Sequence, residues 1–280
     1  MATSTSRTFF ITGVSTGFGR AFSEAALEAG HRVIGTLRNE DARAEFDRLA
    51  PGRSFGRILD VTDDASVERV INEVESGIGA IDVLINNAGY GHEGLVEESS
   101  IEDLRRQFEV NVFGAVAVAK AVLPFMRKRR AGHIISITSM GGIITMPGLA
   151  YYHGSKFALE GISESLGKEV ASFGIHVTAV EPGGFRTDWA GRSMVRAPRS
   201  IPDYDESFGP VRKRREGYSG HQPGDPVKAA QAILKLVESE NPPAHLLLGK
   251  DAVKLVREKI AQLTSEIDAW EAVSLSTDFE

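Results

Sequence analysis

The chain has 280 residues, a length that a single α/β domain can reach, so one domain over residues 1–280 is the expected organisation. Apolar residues make up 42% and charged residues 25%, which is typical of a folded globular protein and excludes a disordered chain. The net charge of −6 argues against a nucleic-acid partner, because phosphate binding favours a basic surface. The absence of cysteine excludes disulfides, thiolate catalysis and cysteine-ligated metals.

The sequence shows no targeting signal. The apolar run near the N-terminus is too short for a signal peptide, and no apolar stretch is expected to approach the length of a membrane span. We therefore expect a cytoplasmic protein without a membrane partner. The seven histidines show no zinc-binding spacing, so no metal site is expected, and His133 and His153 are interpreted as structural.

Short β-branched runs alternate with longer segments of helical spacing along the chain. The runs that predict strands are residues 8–12, 32–36, 54–59, 81–85, 133–138, 175–180 and 245–248. The segments that predict helices lie near residues 18–29, 40–49, 64–76, 102–130, 152–172 and 226–239. This alternation indicates a single doubly wound parallel sheet of the Rossmann type, with helices on both faces.

The regular alternation lapses between about residues 182 and 224. A connection of this length is usually a functional lid or a disordered segment, so residues 185–221 are interpreted as a mobile substrate lid. The basic run 212–215 within it is interpreted as a solvated loop. Packing of its apolar residues on the protein's own core is the alternative, and those residues are Trp189, Met194, Tyr204, Phe208 and Tyr218.

Residues 251–280 predict a C-terminal helical extension. Its apolar residues recur at alternating spacings of three and four, which places them in one stripe. The stripe consists of Val253, Val256, Ile260, Leu263, Ile267 and Trp270. It can pack on the protein's own body or on a second copy of the chain, and both alternatives remain open.

A glycine-rich turn joins the first predicted strand to the first predicted helix. Gly13, Gly17 and Gly19 let the chain turn sharply and let backbone amides, with the helix N-terminus, approach a pyrophosphate. The same letters, G-V-S-T-G, match the nucleophile elbow of α/β-hydrolases, with Ser15 as nucleophile. That fold needs an earlier strand to carry its oxyanion loop, and only twelve residues precede Gly13. A serine hydrolase is therefore the remote alternative.

Tyr152 and Lys156 lie four residues apart, on one face of a predicted helix. A tyrosine has an ordinary pKa near 10, and lowering it to about 7 requires about 4 kcal/mol of phenolate stabilisation. The adjacent ammonium and an oxidised nicotinamide could supply it, since both are cationic. Ser139 follows a predicted strand, at the sheet edge where ligands bind, and its hydroxyl could donate to a developing oxyanion. On chemistry alone Ser136 and Thr138 are equally good candidates.

Taken together, these motifs resemble the short-chain dehydrogenase/reductase family over roughly residues 7–250. The matches are Thr12-Gly-x-x-x-Gly17-x-Gly19, Asn86-Asn87-Ala88-Gly89, Asn111, Ser139, Tyr152-x-x-x-Lys156 and Pro182-Gly183. The resemblance implies an oxidoreductase that transfers a hydride between NADP(H) and a carbonyl or secondary alcohol. We expect a moderately large apolar ketone or aldehyde as substrate. A cofactor-binding sensor or scaffold without turnover is the alternative.

The resemblance also implies roles for individual residues. Tyr152 would be the general acid in reduction and the base in oxidation, and Lys156 would lower its pKa and hold the nicotinamide ribose. Ser139 would orient the substrate oxygen, and the thirteen-residue spacing to Tyr152 selects it over its neighbours. Asn111 would anchor a water that relays protons toward Lys156, although a polar residue on an exposed helix face is the alternative from the sequence alone.

The cofactor would lie along the glycine turn and the ends of several strands. The residues implied to contact it are Gly13, Ser15, Thr16, Gly17, Phe18, Gly19, Arg38, Asp60, Val61, Asn87, Ala88, Gly89, Tyr152, Lys156, Pro182, Gly183 and Thr187. Leu37 stands where an NAD enzyme would carry an acidic residue for the ribose 2′-hydroxyl, and Arg38 could bind a 2′-phosphate. NADP(H) is therefore the expected cofactor, with a solvated Arg38 as the alternative.

A homodimer or homotetramer is also expected. In the family, the helices near residues 102–130 and 152–172 commonly pack against their copies across a two-fold axis.

Overall fold

The computed structural model describes residues 6–279, apart from the side chain of Ala190. Its strands in chain order are β1 (Thr8–Ile11), β2 (Arg32–Leu37), β3 (Ser54–Ile58), β4 (Val83–Asn86), β5 (Gly91–Glu93), β6 (Gly132–Ile137), β7 (Ile175–Pro182), β8 (Met194–Arg196) and β9 (His245–Leu248). Seven of them form one parallel sheet in the order β3-β2-β1-β4-β6-β7-β9. All seven predicted strands are confirmed in this sheet, and β5 and β8 form a separate short pair that the sequence did not predict.

Helices separate the strands and cover both faces of the sheet. In chain order they are α1 (Gly17–Glu28), α2 (Glu40–Asp47), α3 (Asp64–Gly77), α4 (Ile101–Phe108), α5 (Gly114–Arg129), α6 (Ala150–Val170), α7 (Asp205–Tyr218), α8 (Pro226–Glu238) and α9 (Lys250–Leu275). The Rossmann-type doubly wound sheet predicted from the sequence is therefore confirmed.

The central strands are buried on both faces, which explains why they are continuously apolar in sequence. In β1, Phe9 and Ile11 pack into one core cluster with α1 and α8. Phe10, between them, packs into a second cluster with α3 and α5. Successive side chains of a strand point to opposite faces, so four apolar residues in a row serve two helical layers.

The long predicted helix at 102–130 is interrupted. A π-helical turn, Glu109–Phe113, separates α4 from α5, because one extra residue widens the helix there. The expectation that no apolar stretch reaches the length of a membrane span is wrong by length and composition. The run Ile101–Arg129 has 29 residues and a mean hydropathy of 1.5 in its most apolar window. Its residues Val118, Val122 and Met126 are buried against the sheet, as in the core helix of a globular protein.

The segment between residues 182 and 224 is more regular than its sequence indicates, since it contains β8 and α7. The basic run 212–215 lies on α7, and its interpretation as a solvated loop is wrong. Arg215 forms an ion pair with the fully buried Glu93, and Arg212 lies beside Glu216. Helix α7 buries Phe208 alone among its side chains, so no apolar periodicity was available to reveal it.

Candidate active site

The glycine turn is tied to the loop that follows β4. The Thr12 hydroxyl accepts hydrogen bonds from the backbone N–H groups of Asn87 and Ala88, both at 2.9 Å. The Asn87 side-chain amide donates to the carbonyl oxygens of Thr12 and Gly13, at 2.9 and 3.0 Å. These contacts fix the carboxyl ends of β1 and β4 side by side, and Gly89 follows directly, next to Asn111.

The turn requires glycine for two separate reasons. Gly13 and Gly17 have φ values of +72° and +58°, which side chains rarely adopt. A Cβ on Gly19 would lie 2.2 Å from the Gly13 carbonyl oxygen, so no larger residue fits there. Thr16 precedes the first residue of α1 and makes no side-chain cap, which leaves the amides of the first turn available to an anion.

The chain that follows β7 closes the other side of this cleft. Pro182 ends β7, and Gly183 donates its N–H to Leu248 of β9. Thr187 lies against Gly17, and the Phe185 ring packs on Phe18 with ring centroids 5.1 Å apart. The structure therefore brings together residues that the sequence assigned separately to the phosphate and nicotinamide ends of one cofactor.

The outer end of the cleft carries Arg38, Asp60 and Val61. Arg38 is exposed directly after β2, and it makes no hydrogen bond or ion pair with residues 6–279. Leu37 is only 4% exposed and belongs to the core, so it does not itself face the cleft. Asp60 is exposed after β3, and Val61 is buried beside Gly114 of α5.

Tyr152 and Lys156 lie one turn apart at the start of α6, and both are buried. The Lys156 ammonium donates to the Ile137 carbonyl oxygen at 2.7 Å and lies 5.8 Å from the centroid of the Tyr152 ring. Tyr151 faces elsewhere, since its hydroxyl donates to the Ser99 carbonyl oxygen at 3.1 Å. Tyr152 is thus the tyrosine of the pair that meets both Lys156 and Ser139.

Burial dominates the electrostatics of this pair. Desolvation raises the pKa of Tyr152 to about 12, and a hydrogen bond with Ser139 opposes that rise. Desolvation also lowers the pKa of Lys156 to about 8, and the charge of Glu160 opposes that fall. In the protein alone the proton therefore stays on the tyrosine, and additional positive charge is needed before a phenolate can form.

The structure distinguishes Ser139 from the other two polar candidates on β6. The Ser136 hydroxyl accepts from Ser163 in the interior, and the Thr138 hydroxyl donates to the Val180 carbonyl oxygen. Ser139 follows β6, accepts from the Gly141 N–H at 2.9 Å and reaches Tyr152. Ser139 is therefore the hydroxyl placed beside the Tyr152 phenol.

Asn111 lies within the π-helical turn and is 1% exposed, so its interpretation as a residue on an exposed helix face is wrong. Its amide donates to the Ser155 hydroxyl and to the Tyr90 carbonyl oxygen, both at 3.1 Å. Its carbonyl oxygen accepts from the Tyr90 N–H at 3.1 Å. Asn111 thereby fixes the loop after β4 against the residue that precedes Lys156.

An apolar wall covers Tyr152. The Trp189 ring lies 4.9 Å from the Tyr152 ring between centroids, and Leu149, Met194 and Met146 complete the cluster. Two of the five apolar residues proposed for the lid thus face the site. The other three lie elsewhere: Phe208 is buried beside Gly148, while the Tyr204 hydroxyl contacts Glu97 and the Tyr218 hydroxyl lies near Gly184.

Sequence reasoning missed a buried acidic cluster one turn beyond Lys156. Glu160 of α6, Glu181 of β7 and His245 of β9 place one ligand atom each within 4.8 Å of one another. His245 Nδ1 lies 2.7 Å from a Glu181 oxygen and 3.4 Å from a Glu160 oxygen. Neither oxygen of Glu160 has a hydrogen-bond partner among the described residues, and neither does the second oxygen of Glu181. Glu181, a glutamate directly after the apolar run 175–180, was the available signal, but the cluster depends on the pairing of β7 with β9.

The hydrolase alternative finds no support in this geometry. Ser15 is exposed in the glycine turn, and among residues 6–279 no histidine or carboxylate forms a hydrogen bond with its hydroxyl. A serine nucleophile requires a base within hydrogen-bond distance.

Known proteins share both the sequence and the fold. A profile of the short chain dehydrogenase family matches residues 7–195. An oxidoreductase of Botryotinia fuckeliana is 40% identical over 270 residues, 96% of this chain and 98% of its own length. A 3-ketodihydrosphingosine reductase of Bacteroides thetaiotaomicron is 39% identical over 246 residues, 85% of this chain and 86% of its own. A crystal structure of a short-chain dehydrogenase from Streptomyces avermitilis superposes with a TM-score of 0.91 at 41% identity, covering 98% of this chain and 99% of that one.

More distant solved structures hold nicotinamide cofactors. ElxO, solved with NADP bound, is 25% identical with a TM-score of 0.71, over 86% of this chain and 96% of that one. An enzyme of Burkholderia phymatum, solved with NAD, is 24% identical with a TM-score of 0.78, over 92% and 95%. These two neighbours hold different nicotinamide cofactors.

The acidic cluster generates a prediction about stability and pH. Burial raises the pKa of Glu160 to about 7, so between about pH 4.5 and 7 the folded carboxyl keeps a proton that the unfolded one releases. Burial also raises the pKa of Glu181, so both carboxyl groups make the folded protein less stable as pH rises through this window. Burial lowers the pKa of His245, but Glu181, Glu160 and Glu164 together raise it above 6.5, so its contribution to stability is lost at still higher pH.

We expect the free energy of unfolding of Glu160→Gln to fall less between pH 5 and pH 8 than that of the parent, because each unit by which folding raises a pKa changes it by about 1.4 kcal/mol. Urea unfolding at the two pH values measures this difference. Glu169→Gln, further along α6, exposed and outside the cluster, is the control and keeps the parent's pH dependence. A variant at Glu160 that loses as much stability as the parent would contradict the assignment.

Proposed function

Because this chain belongs to the short-chain dehydrogenase family, we propose that it reduces a moderately large apolar ketone or aldehyde with NADPH, or oxidises the corresponding alcohol with NADP. The observation that carries the proposal is the placement of Ser139, Tyr152 and Lys156. One hydroxyl, one buried phenol and one buried ammonium meet at the carboxyl end of the sheet, where this fold binds its ligands.

The chemistry divides between the cofactor and the chain. NADPH, when bound, supplies the hydride that the carbonyl carbon accepts. The Tyr152 hydroxyl donates its proton to the carbonyl oxygen, and Ser139 donates a hydrogen bond to the same oxygen as negative charge develops. The Lys156 ammonium stabilises the resulting phenolate. Asn111 fixes Ser155 at the start of α6, and its role in holding a relay water stays a prediction.

The apolar wall supports the proposed substrate class. Trp189, Met194, Met146 and Leu149 surround the Tyr152 ring without a charged group among them. Such a surface excludes water from the proton transfer and favours a substrate that carries apolar area next to its carbonyl. The relative named as a 3-ketodihydrosphingosine reductase is consistent with reduction of a ketone.

The first test is Tyr152→Phe, which removes only the proton donor. We expect turnover to fall on the order of a hundredfold to ten-thousandfold, while NADPH binding survives. Steady-state NADPH oxidation with a panel of ketones and fluorescence titration of NADPH measure the two effects. Tyr151→Phe is the control and retains activity, because that hydroxyl contacts Ser99. If the parent binds NADPH and turns over no carbonyl compound, the sensor alternative is favoured instead.

The second test concerns the cofactor. We propose that the exposed guanidinium of Arg38 binds the 2′-phosphate of NADPH through charge-assisted hydrogen bonds. Arg38→Ala should raise KM for NADPH on the order of tenfold to a hundredfold and leave KM for NADH unchanged, since hydrogen bonds to charged groups contribute about 1.5–3 kcal/mol. Arg69→Ala, at an exposed arginine of α3, is the control. Equal kcat/KM with both cofactors in the parent would contradict the preference.

An acidic residue at position 37 would not test the cofactor preference, because Leu37→Asp would bury a carboxylate in the core.

We further propose that residues 185–221 form a lid that opens to admit substrate. Phe185 and Gly224 form a bridge, so the segment leaves and rejoins the body at one place. In the closed position the buried Glu93 of β5 holds it through Arg196 at 2.9 Å and Arg215 at 2.7 Å. Nearby, the buried Glu98 binds Arg199 at 2.9 Å. These ion pairs, and not a continuous apolar core, hold residues 185–221 on the body, so the segment can separate from the body without exposing a large apolar surface.

Hydrogen exchange tests the lid. We expect residues 185–199 to exchange faster in the free protein than with NADPH and substrate bound. We also expect Glu93→Gln to accelerate exchange in the free protein, since it removes the buried carboxylate charge that pairs with Arg196 and Arg215. Glu102→Gln, whose exposed carboxylate pairs with Arg105 of its own helix and not with the segment, is the control. Equal protection of the segment in both forms of the parent would show that it is fixed structure.

A further inference from the structure

Helix α9 has an anchored base and a free distal part. At its base Ala252 and Val256 are buried against the body, and the Asp251 carboxylate accepts a hydrogen bond from the Gly184 N–H at 2.7 Å. Every residue from 260 to 279 is exposed. The distal part, defined as Ile260 to the helix end at Leu275, is about 24 Å long at 1.5 Å per residue, and no other described residue covers it.

The distal part nevertheless carries an apolar stripe. Ile260, Leu263, Ile267 and Trp270 are 55%, 42%, 67% and 65% exposed. Their spacings of three, four and three continue the row of Val253 and Val256, so the stripe is the same face that the base buries on the body. A contiguous exposed row of four large apolar residues is typical of a docking surface.

The charges along α9 are unevenly distributed. Its first ten residues carry four basic side chains, Lys250, Lys254, Arg257 and Lys259, against two acidic ones. From Ile260 to Phe279 there are four acidic residues, Glu266, Asp268, Glu271 and Asp278, and no lysine or arginine. An acidic helix is disfavoured on an anionic membrane, which instead attracts basic amphipathic helices. The acidic distal part is instead electrostatically complementary to a basic surface, and the first ten residues of α9 in a second copy offer one.

We propose that the distal part of α9 pairs antiparallel with the same segment of a second copy, around a two-fold axis between Leu263 and Ile267. In this register Ile260 packs on the partner's Trp270, and Leu263 packs on the partner's Ile267. The symmetry repeats each contact, so four layers cover the whole stripe on both helices. The base of α9 is already helical where it packs on the body, so the distal part extends an existing helix. It therefore avoids part of the unfavourable nucleation free energy of an isolated helix of this length.

The flanking charges select this orientation over a parallel one. In the antiparallel pair Arg257 comes opposite the partner's Glu271, twice by symmetry, and the one like-charge approach is Glu266 with its own copy at the axis. In a parallel pair Glu266 would come opposite the partner's Glu271 twice, with no compensating attraction. Opposite charges beside an apolar seam set helix orientation in this way.

The experiment uses the full chain and measures its mass by sedimentation velocity at micromolar concentration. We expect twice the chain mass of 30.3 kDa for the parent and 30.3 kDa for Ile267→Asp. Val227→Asp, at an exposed valine of α8, is the matched control and leaves the dimer intact. Both residues are exposed, and retention of the parent's circular dichroism spectrum shows that each variant folds. A monomeric parent, or an Ile267→Asp variant that stays dimeric through other helices, would overturn the proposal.

A charge exchange tests the orientation. Arg257→Glu and Glu271→Arg should each weaken the dimer about tenfold in Kd, and the double variant should restore it. If Glu271→Arg alone tightens the dimer, the pair is parallel and the proposed register is wrong. Co-sedimentation of the parent with vesicles of phosphatidylcholine and phosphatidylserine, together with a monomeric mass in their absence, would assign the stripe to a membrane and overturn the pairing.

Discussion

The hydrogen bonds between Thr12 and Asn87 are the contacts on which the rest of the cleft depends. Strands β1 and β4 are adjacent, and these bonds, with those from Ala88 to Thr12 and from Asn87 to Gly13, hold the loops that follow the two strands together. The glycine turn, the start of α1 and the loop that leads to Tyr90 all take their positions from this junction. Through Tyr90 it extends to Asn111, and through Asn111 to Ser155 in the second turn of α6.

Burial determines the protonation of both Tyr152 and Lys156. Desolvation penalises the charged form of both groups, so it raises the pKa of the phenol and lowers the pKa of the ammonium. In the free protein the phenol therefore keeps its proton. Under the proposed function, a bound nicotinamide in its oxidised, cationic form would add positive charge beside Tyr152 and would favour the phenolate.

The sequence was sufficient for the sheet and insufficient for contacts between distant elements. The strand at 8–12 is recognisable because burial on both faces makes it continuously apolar, and Tyr152 with Lys156 is recognisable because helical spacing is local. Helix α7 was missed because it has no apolar periodicity, and the ion pair of its Arg215 with Glu93 joins residues more than a hundred positions apart. Glu160 and His245 were missed for the same reason, since the order in which β7 and β9 pair cannot be read from either strand alone.

The π-helical turn at Glu109–Phe113 has a consequence for how this helix can change during evolution. Its extra residue rotates α4 relative to α5 by about a third of a turn compared with an uninterrupted α-helix of 3.6 residues per turn. The rotation of α4 about its axis is therefore set separately from that of α5, with Asn111 at the junction. A single deletion here would restore a regular helix, yet it would rotate α4 or α5 away from the residues that it now contacts. Length in this stretch is consequently constrained more strongly than the identity of most of its residues.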